Sequence, residues 1–147
     1  MNIQYTNKIA YVAPIHIPTI WYEIEPMLIE GLKRTDDIIT KEVIYHKLAV
    51  GEFLLWTVQQ EGKLVGLALT EVGLTQNGAI CYIFFVTGKG MKSWFEDLHD
   101  NILAWALHHH CVKMKALGRI GWLKFYKQKN WQVKSVEYSY TIADKLH

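Results

Sequence analysis

The apolar positions of this chain change period along its length, and each change marks a predicted element. Lys8–Ile15 carries Ile9, Tyr11 and Val12 in loose alternation and predicts a first strand, which Pro14 should end. From Thr19 to about Arg34, Ile20, Ile24, Leu28 and Leu32 recur every four positions, which is helical spacing. Pro26 has no N–H to donate, so two short helices or one kinked helix are expected there. After an acidic turn at Asp36–Asp37, Thr40 can cap a second helix over Lys41–Val50. Its predicted face is Val43, Ile44, Lys47 and Leu48, and Gly51 closes it.

The middle of the chain is strand-like. Phe53–Gln59 and Lys63–Val72 are joined by a turn at Gln60-Glu61-Gly62, and Asn77-Gly78 suits a type I′ hairpin turn. Ala79–Val86 follows, apolar on both faces as in a central strand covered on two sides. The period then returns to helix: Trp94, Leu98, Ile102 and Trp105 predict one apolar face on a helix of roughly Met91–His110. Val112–Leu117 predicts a short strand, Gly118–Lys129 a short helix, and Trp131–Ile142 a final alternating strand. The expected order is β-α-α-β-β-β-α-β-α-β, a mixed α/β (α+β) domain.

Composition narrows the class. The 147 residues are 50% hydrophobic with a formal net charge of +2, which excludes intrinsic disorder and implies one domain over residues 1–147. No apolar run approaches the roughly 20 residues of a spanning helix, and the N-terminus has no signal-peptide pattern. Two cysteines, Cys81 and Cys111, make no disulfide framework, and a cytoplasmic location is expected. With 16 basic against 14 acidic residues, bulk charge makes no case for nucleic acid. Lysines interleaved with Trp122, Phe125, Tyr126 and Trp131 would suit single strands, but they also suit a solvated helix over an aromatic core. His108-His109-His110 cannot converge on one metal ion, because consecutive helical residues point about 100° apart.

The most informative segment is Phe85-Val86-Thr87-Gly88-Lys89-Gly90-Met91-Lys92. A buried strand enters a Gly-x-Gly turn and then a helix, where free N–H groups and the helix dipole could hold a phosphate, with Lys89 and Lys92 adding charge. The same glycines also serve an ordinary tight turn.

This order of elements, with the glycine turn after the fourth strand, resembles the GNAT superfamily of acyl-coenzyme A-dependent N-acyltransferases. Gly88 and Gly90 match the small positions of that family's Gln/Arg-x-x-Gly-x-Gly/Ala loop, whereas Phe85 replaces the Gln/Arg. In Arg119–Trp131, Tyr126 matches the family's tyrosine and Trp131 stands in for its terminal Phe, while Arg119, Trp122 and Asn130 depart from the pattern. Trp21, the Gly51–Trp56 lead-in to the second strand and the Gly118–Trp122 segment are similar to those of small phage-encoded GNAT-like proteins. The resemblance implies a mostly antiparallel central sheet flanked by helices, with the fourth and fifth strands splayed around acetyl-CoA. The main chain near Phe84 and Val86 would bond the pantetheine arm, and the amides from Gly88 through Lys89, Gly90 and Met91 to Lys92 would hold the pyrophosphate. Tyr126 would touch the cofactor and protonate the departing thiolate. The strand Ala79–Val86 lacks the glutamate that many members carry, so Glu71 is the nearest candidate base. The acceptor is an amine of a small molecule or a protein. The alternative is an inactive GNAT fold with a virion-associated or host-protein-binding role, and a homodimer is left open.

Overall fold

A computed structural model describes residues 6–35, 39–118, 120–140 and 142, so Asp36–Asp37 and Arg119 lie outside the described residues. The strands are β1 (Asn7–Val12), β2 (Leu54–Gln60), β3 (Lys63–Thr75), β4 (Gly78–Gly88) and β5 (Cys111–Ala116). The helices are α1 (Ile17–Leu32), α2 (Lys41–Ala49), α3 (Phe95–His108) and α4 (Leu123–Gln128). The sheet runs in the order β1-β2-β3-β4-β5, antiparallel throughout except for the parallel β4–β5 pair. This is the mixed α/β, GNAT-like architecture expected from the sequence. No helix among the described residues is long and apolar enough to cross a membrane.

Three expectations need correction, and one alternative is decided. Of the two arrangements expected at Pro26, two short helices do not form: α1 is one helix from Ile17 to Leu32. Its buried stripe is Ile17, Ile24, Leu28 and Gly31, whereas Pro26 is exposed, so the hydrogen bond it cannot make lies on the water side. The β3–β4 hairpin forms, but Thr75 pairs with Gly78, so its two loop residues are Gln76 and Asn77, and neither has positive φ. The type I′ geometry occurs at the other turn: Gln60 pairs with Lys63, and Glu61 (φ 51°) and Gly62 (φ 76°) are both left-handed.

The long helix does not start at Met91. A 3-10 turn spans Met91–Ser93, Trp94 breaks the spiral at φ −137°, and α3 begins at Phe95. The indole of Trp94 causes the break, reaching back to donate its N–H to the Lys89 carbonyl at 2.7 Å beneath Gly66. Finally, the described residues of Trp131–Ile142 form no strand. Their alternation is present, but from Gln132 onward the described side chains are exposed and have no packed layer to join.

Two cores lie on opposite faces of the sheet. One gathers Ile17, Ile24 and Leu28 of α1 and Ile44 and Leu48 of α2 over Leu55, Leu67, Leu69 and Phe85. The other gathers Trp94, Phe95, Leu98 and Ile102 with Tyr126 of α4 over Trp56, Ala68, Cys81 and Ile83. The Thr40 hydroxyl caps α2 by accepting from the Val43 N–H at 3.2 Å, and Gly51 (φ 81°) follows its end.

Candidate functional site

The site begins with an irregularity in β4. Leu69 pairs with Phe85 and Thr70 with Ile83, so Phe84 is an extra residue, a β-bulge. The bulge reverses the strand's faces. Cys81 and Ile83 belong to the core beneath α3, whereas Phe85 belongs to the core beneath α1. Phe84 also joins the α1 side, at 4.5 Å from the Phe53 ring centroid.

At the same level β5 leaves β4. The ladder ends at Ile83–Ala116, followed by one bond from the Leu117 N–H to the Ile83 carbonyl at 3.0 Å. Beyond it, the β5-facing edge of Phe84–Val86 has no strand partner among the described residues. The fork encloses a cavity of about 50 Å3, floored by Phe84–Thr87 and walled by Gly31 of α1, by Arg34 just past its end and by Trp122 and Tyr126. Gly31 lets α1 approach, since a Cβ there would stand 2.6 Å from both the Phe85 ring and the Thr87 hydroxyl.

The glycine turn closes the far end of β4, and its two glycines do different work. A Cβ on Gly88 (φ 143°) would come within 2.3 Å of the Val65 carbonyl, so this glycine serves the packing of β4 on β3. A Cβ on Gly90 would make only ordinary contact, 3.6 Å from the Ser93 hydroxyl, so this glycine serves the left-handed backbone (φ 67°) of the turn and not close packing. The Lys89 N–H is committed to the Val65 carbonyl at 2.9 Å. The amides of Gly90, Met91 and Lys92 bond to no other protein group among the described residues, and the side chains of Lys89 and Lys92 are exposed. Met91 itself is buried in the core, so only its main chain faces this turn. The first turn of α3 carries Glu96 and Asp97, and Asp97 accepts from the Asn7 amide at 2.6 Å. Three free amides, and not the start of α3, are therefore the main-chain donors available at this turn.

Tyr126 is held by aromatic contacts with Phe95 at 5.1 Å and Trp131 at 4.7 Å. Burial pushes its phenol well above the ordinary range, so the hydroxyl stays protonated through neutral pH. That hydroxyl has no hydrogen-bond partner among the described residues, and the side chain lines the fork cavity. Glu71 is not brought to it. Glu71 lies opposite Tyr82 in the β3–β4 pairing and lines a separate, more open groove of about 330 Å3 with Lys115. No carboxylate lines the fork cavity among the described residues.

Behind Tyr126 lies a polar chain. The Trp131 indole N–H donates to His99 Nε2 at 2.9 Å, and His99 Nδ1 meets Asp100 at 2.9 Å. With Nε2 accepting from the indole, Nδ1 is the ring nitrogen left to donate to Asp100. Lys129 completes the chain, 3.0 Å from Asp100. The bonds from His99 and then Lys129 hold the Asp100 carboxyl below the usual carboxylate range. Asn130 takes the left-handed conformation (φ 69°) that ends α4, and Trp131 then turns back to bond the Tyr126 carbonyl at 3.1 Å.

Other candidates lead elsewhere. His109 caps α3 with Nδ1 2.9 Å from the Trp105 carbonyl, and no described group of His, Cys, Asp or Glu is placed to hold a metal ion. Burial, with Cys111 adding, pushes the Cys81 thiol up to about 12, which leaves it inert as a nucleophile. Sequence reasoning missed Gly31, Arg34 and the cavity role of Trp122. A glycine inside a helical run was the available signal for Gly31.

No family model and no curated protein matches the chain. Solved structures do. An aminoglycoside acetyltransferase, meta-AAC0020, from an uncultured soil metagenomic sample superposes with a TM-score of 0.71 at 15% identity, covering 92% of this chain and 95% of that one. A predicted acetyltransferase from Clostridium acetobutylicum, solved with acetyl-CoA, gives 0.67 at 14% identity, covering 97% and 100%. Glucosamine-6-phosphate N-acetyltransferase from Arabidopsis thaliana gives 0.66 at 16%, covering 92% and 98%. At these identities the likeness establishes the fold, and the chain has the fold of the GNAT acetyltransferases.

Proposed function

We propose that this chain is an N-acyltransferase that moves an acetyl group from acetyl-CoA to an amine of a small molecule or a protein. The observation that carries this reading is the coincidence at one end of β4 of a strand fork, a buried protonated tyrosine and a turn with free amides. Acetyl-CoA, when bound, supplies a thioester carbonyl as electrophile. The unpaired edge of Phe84–Val86 offers main-chain groups to an amide-bearing arm. The amides of Gly90, Met91 and Lys92, with the ammonium groups of Lys89 and Lys92, offer donors to a pyrophosphate. The acceptor nitrogen bonds to the carbonyl carbon as the C–S bond breaks. Tyr126 gives its proton to the sulfur, and the amine's proton passes to water, since Glu71 faces the other groove; water then returns a proton to the Tyr126 oxygen, which closes the cycle.

A second reading, a GNAT-like fold kept by a phage for a virion or host-protein contact, draws on two observations. No acid lines the cavity among the described residues, and about 50 Å3 holds only about two waters, so the fork must widen to admit a thioester. Thiol release from acetyl-CoA separates the two. Aminoglycosides and glucosamine 6-phosphate, named for similar structures, are the first amines to try, with lysine peptides beside them. Amine-dependent release that Tyr126→Phe suppresses supports the enzyme. A folded protein that releases no thiol with any amine and does not bind acetyl-CoA supports the contact protein.

A further inference from the structure

The open groove beside the fork is built on one row of the sheet. Glu71 of β3 pairs with Tyr82 of β4, and Tyr82 pairs with Lys115 of β5, so the three stand abreast on neighbouring strands. All three line the groove of about 330 Å3. Strands lie about 4.8 Å apart, which roots Glu71 and Lys115 about 10 Å from one another with Tyr82 between them. Neither charge has an ion-pair partner among the described residues. Gly73, one row further from the fork, puts no side chain into the groove, and a Cβ there would meet nothing within 4 Å. The groove adjoins the fork. The Tyr82 ring stacks on Phe84 at 6.3 Å, and Phe84 lines the fork cavity, as does Leu117, two residues beyond Lys115.

We infer, resting on the acetyl transfer proposed above, that the acceptor is a free diamino acid of the lysine type whose head is held by this row. An α-carbon carries its ammonium and carboxylate about 3 Å apart. With one charge-assisted hydrogen bond of about 2.8 Å on each side, such a head bridges about 9 Å, a span that Glu71 and Lys115 can hold from either side of Tyr82. Glu71 takes the ammonium and Lys115 the carboxylate. From this row to Phe84 is two residues of strand, about 7 Å. A lysine side chain has five bonds of about 1.5 Å and extends about 6 Å beyond the α-carbon, so its amine arrives at the fork while the head stays on the row. There the side-chain nitrogen bonds to the thioester carbonyl carbon, the C–S bond breaks, and Tyr126 protonates the sulfur. A simple diamine lacks the carboxylate that Lys115 would bind. A lysine within a protein has both head charges consumed as amides, which leaves Glu71 and Lys115 unmatched.

Titration of the full chain with L-lysine, followed by nuclear magnetic resonance without acetyl-CoA, tests this. A dissociation constant of about 0.1–1 mM is expected, with shifts at Glu71, Tyr82 and Lys115. Cadaverine, which lacks the carboxylate, and 6-aminohexanoate, which lacks the α-ammonium, bind at least about fivefold more weakly. Glu71→Lys and Lys115→Glu each weaken lysine binding at least about tenfold, and the two together regain most of it, because the head then binds reversed. Gly73→Val fills the groove without adding charge or backbone strain, leaves the far-ultraviolet spectrum unchanged and weakens lysine about fivefold. Lysine that shifts none of the row, cadaverine bound equally well, or binding indifferent to both charge reversals overturns the inference. Thiol release from acetyl-CoA with Nα-acetyl-lysine amide but not with lysine overturns it too, in favour of a protein acceptor. A chain that binds acetyl-CoA but ignores lysine loses only this acceptor, whereas lysine bound on this row by a chain that does not bind acetyl-CoA supports the site and overturns the transfer.

Discussion

The two faces of the sheet are packed by different chemistry. Beneath α1 and α2 the buried residues are almost all aliphatic, with Phe53 and Phe85 the exceptions. Beneath α3 and α4 lie every tryptophan except Trp21, together with Tyr126 and the buried His99. Aliphatic burial is non-directional and supplies stability in proportion to area. Aromatic groups with polar handles fix orientation as well: Trp56 donates to Thr70 at 3.1 Å, Trp94 to Lys89 at 2.7 Å and Trp131 to His99 at 2.9 Å. The proposed catalytic tyrosine lies on the oriented face, at the fork where the Phe84 bulge lets the two faces meet.

The contrast can be broken by substitution. Leu28→Ala, fully buried on the aliphatic face, should cost about 2–5 kcal/mol in urea unfolding while leaving acetyl-CoA affinity unchanged in the folded protein. His99→Leu, on the oriented face, should cost about 1–3 kcal/mol by stranding the Trp131 N–H. Unlike Leu28→Ala it should also lower kcat, because Trp131 packs on Tyr126. Equal effects on kcat from both variants would erase the distinction. Tyr126→Phe keeps the ring contacts, so stability should move by no more than about 1 kcal/mol while turnover falls about 100-fold with little change in cofactor affinity.

The smallest expected effect is one of pH. The folded-state pKa of Asp100 lies below its unfolded value, so the ionised carboxylate stabilises the fold fully above about pH 4, and that contribution is lost as pH falls through the lowered value. Unfolding midpoints measured from pH 7 to pH 3 should therefore fall less steeply in Asp100→Asn. Because the Asp100 side chain is half exposed, solvent keeps the difference small.

Much of this was legible in the residues, and the failures have physical causes. Periodicity located the helices because their stripes face a sheet, and Thr40 announced its cap. The bulge at Phe84 was hidden, because Ala79–Val86 is apolar on both faces and a reversal of faces changes nothing in its pattern. The type I′ turn was assigned to Asn77-Gly78 by dipeptide preference, but strand pairing decides which residues occupy the turn, and it selected Glu61-Gly62. The break before α3 arises from the reach of Trp94 back to Lys89, a contact that a helical stripe does not encode. At the candidate site, the glycine motif located the turn but not the division of labour between Gly88 and Gly90. That division depends on how closely β3 approaches.

The most direct test of the acetyl-CoA site is a calorimetric titration of the purified chain with acetyl-CoA, alongside the Gly90→Trp variant. A Cβ at Gly90 would meet only the Ser93 hydroxyl, in ordinary contact at 3.6 Å, so a bulky side chain there should fill the approach to the free amides at a backbone cost of about 1–2 kcal/mol for the left-handed φ of 67°, and a circular-dichroism spectrum of the variant checks that it is folded. The account predicts binding with a dissociation constant of about 1 μM in the unsubstituted protein and its loss in Gly90→Trp. No binding by folded protein, or undiminished binding by the variant, would contradict it.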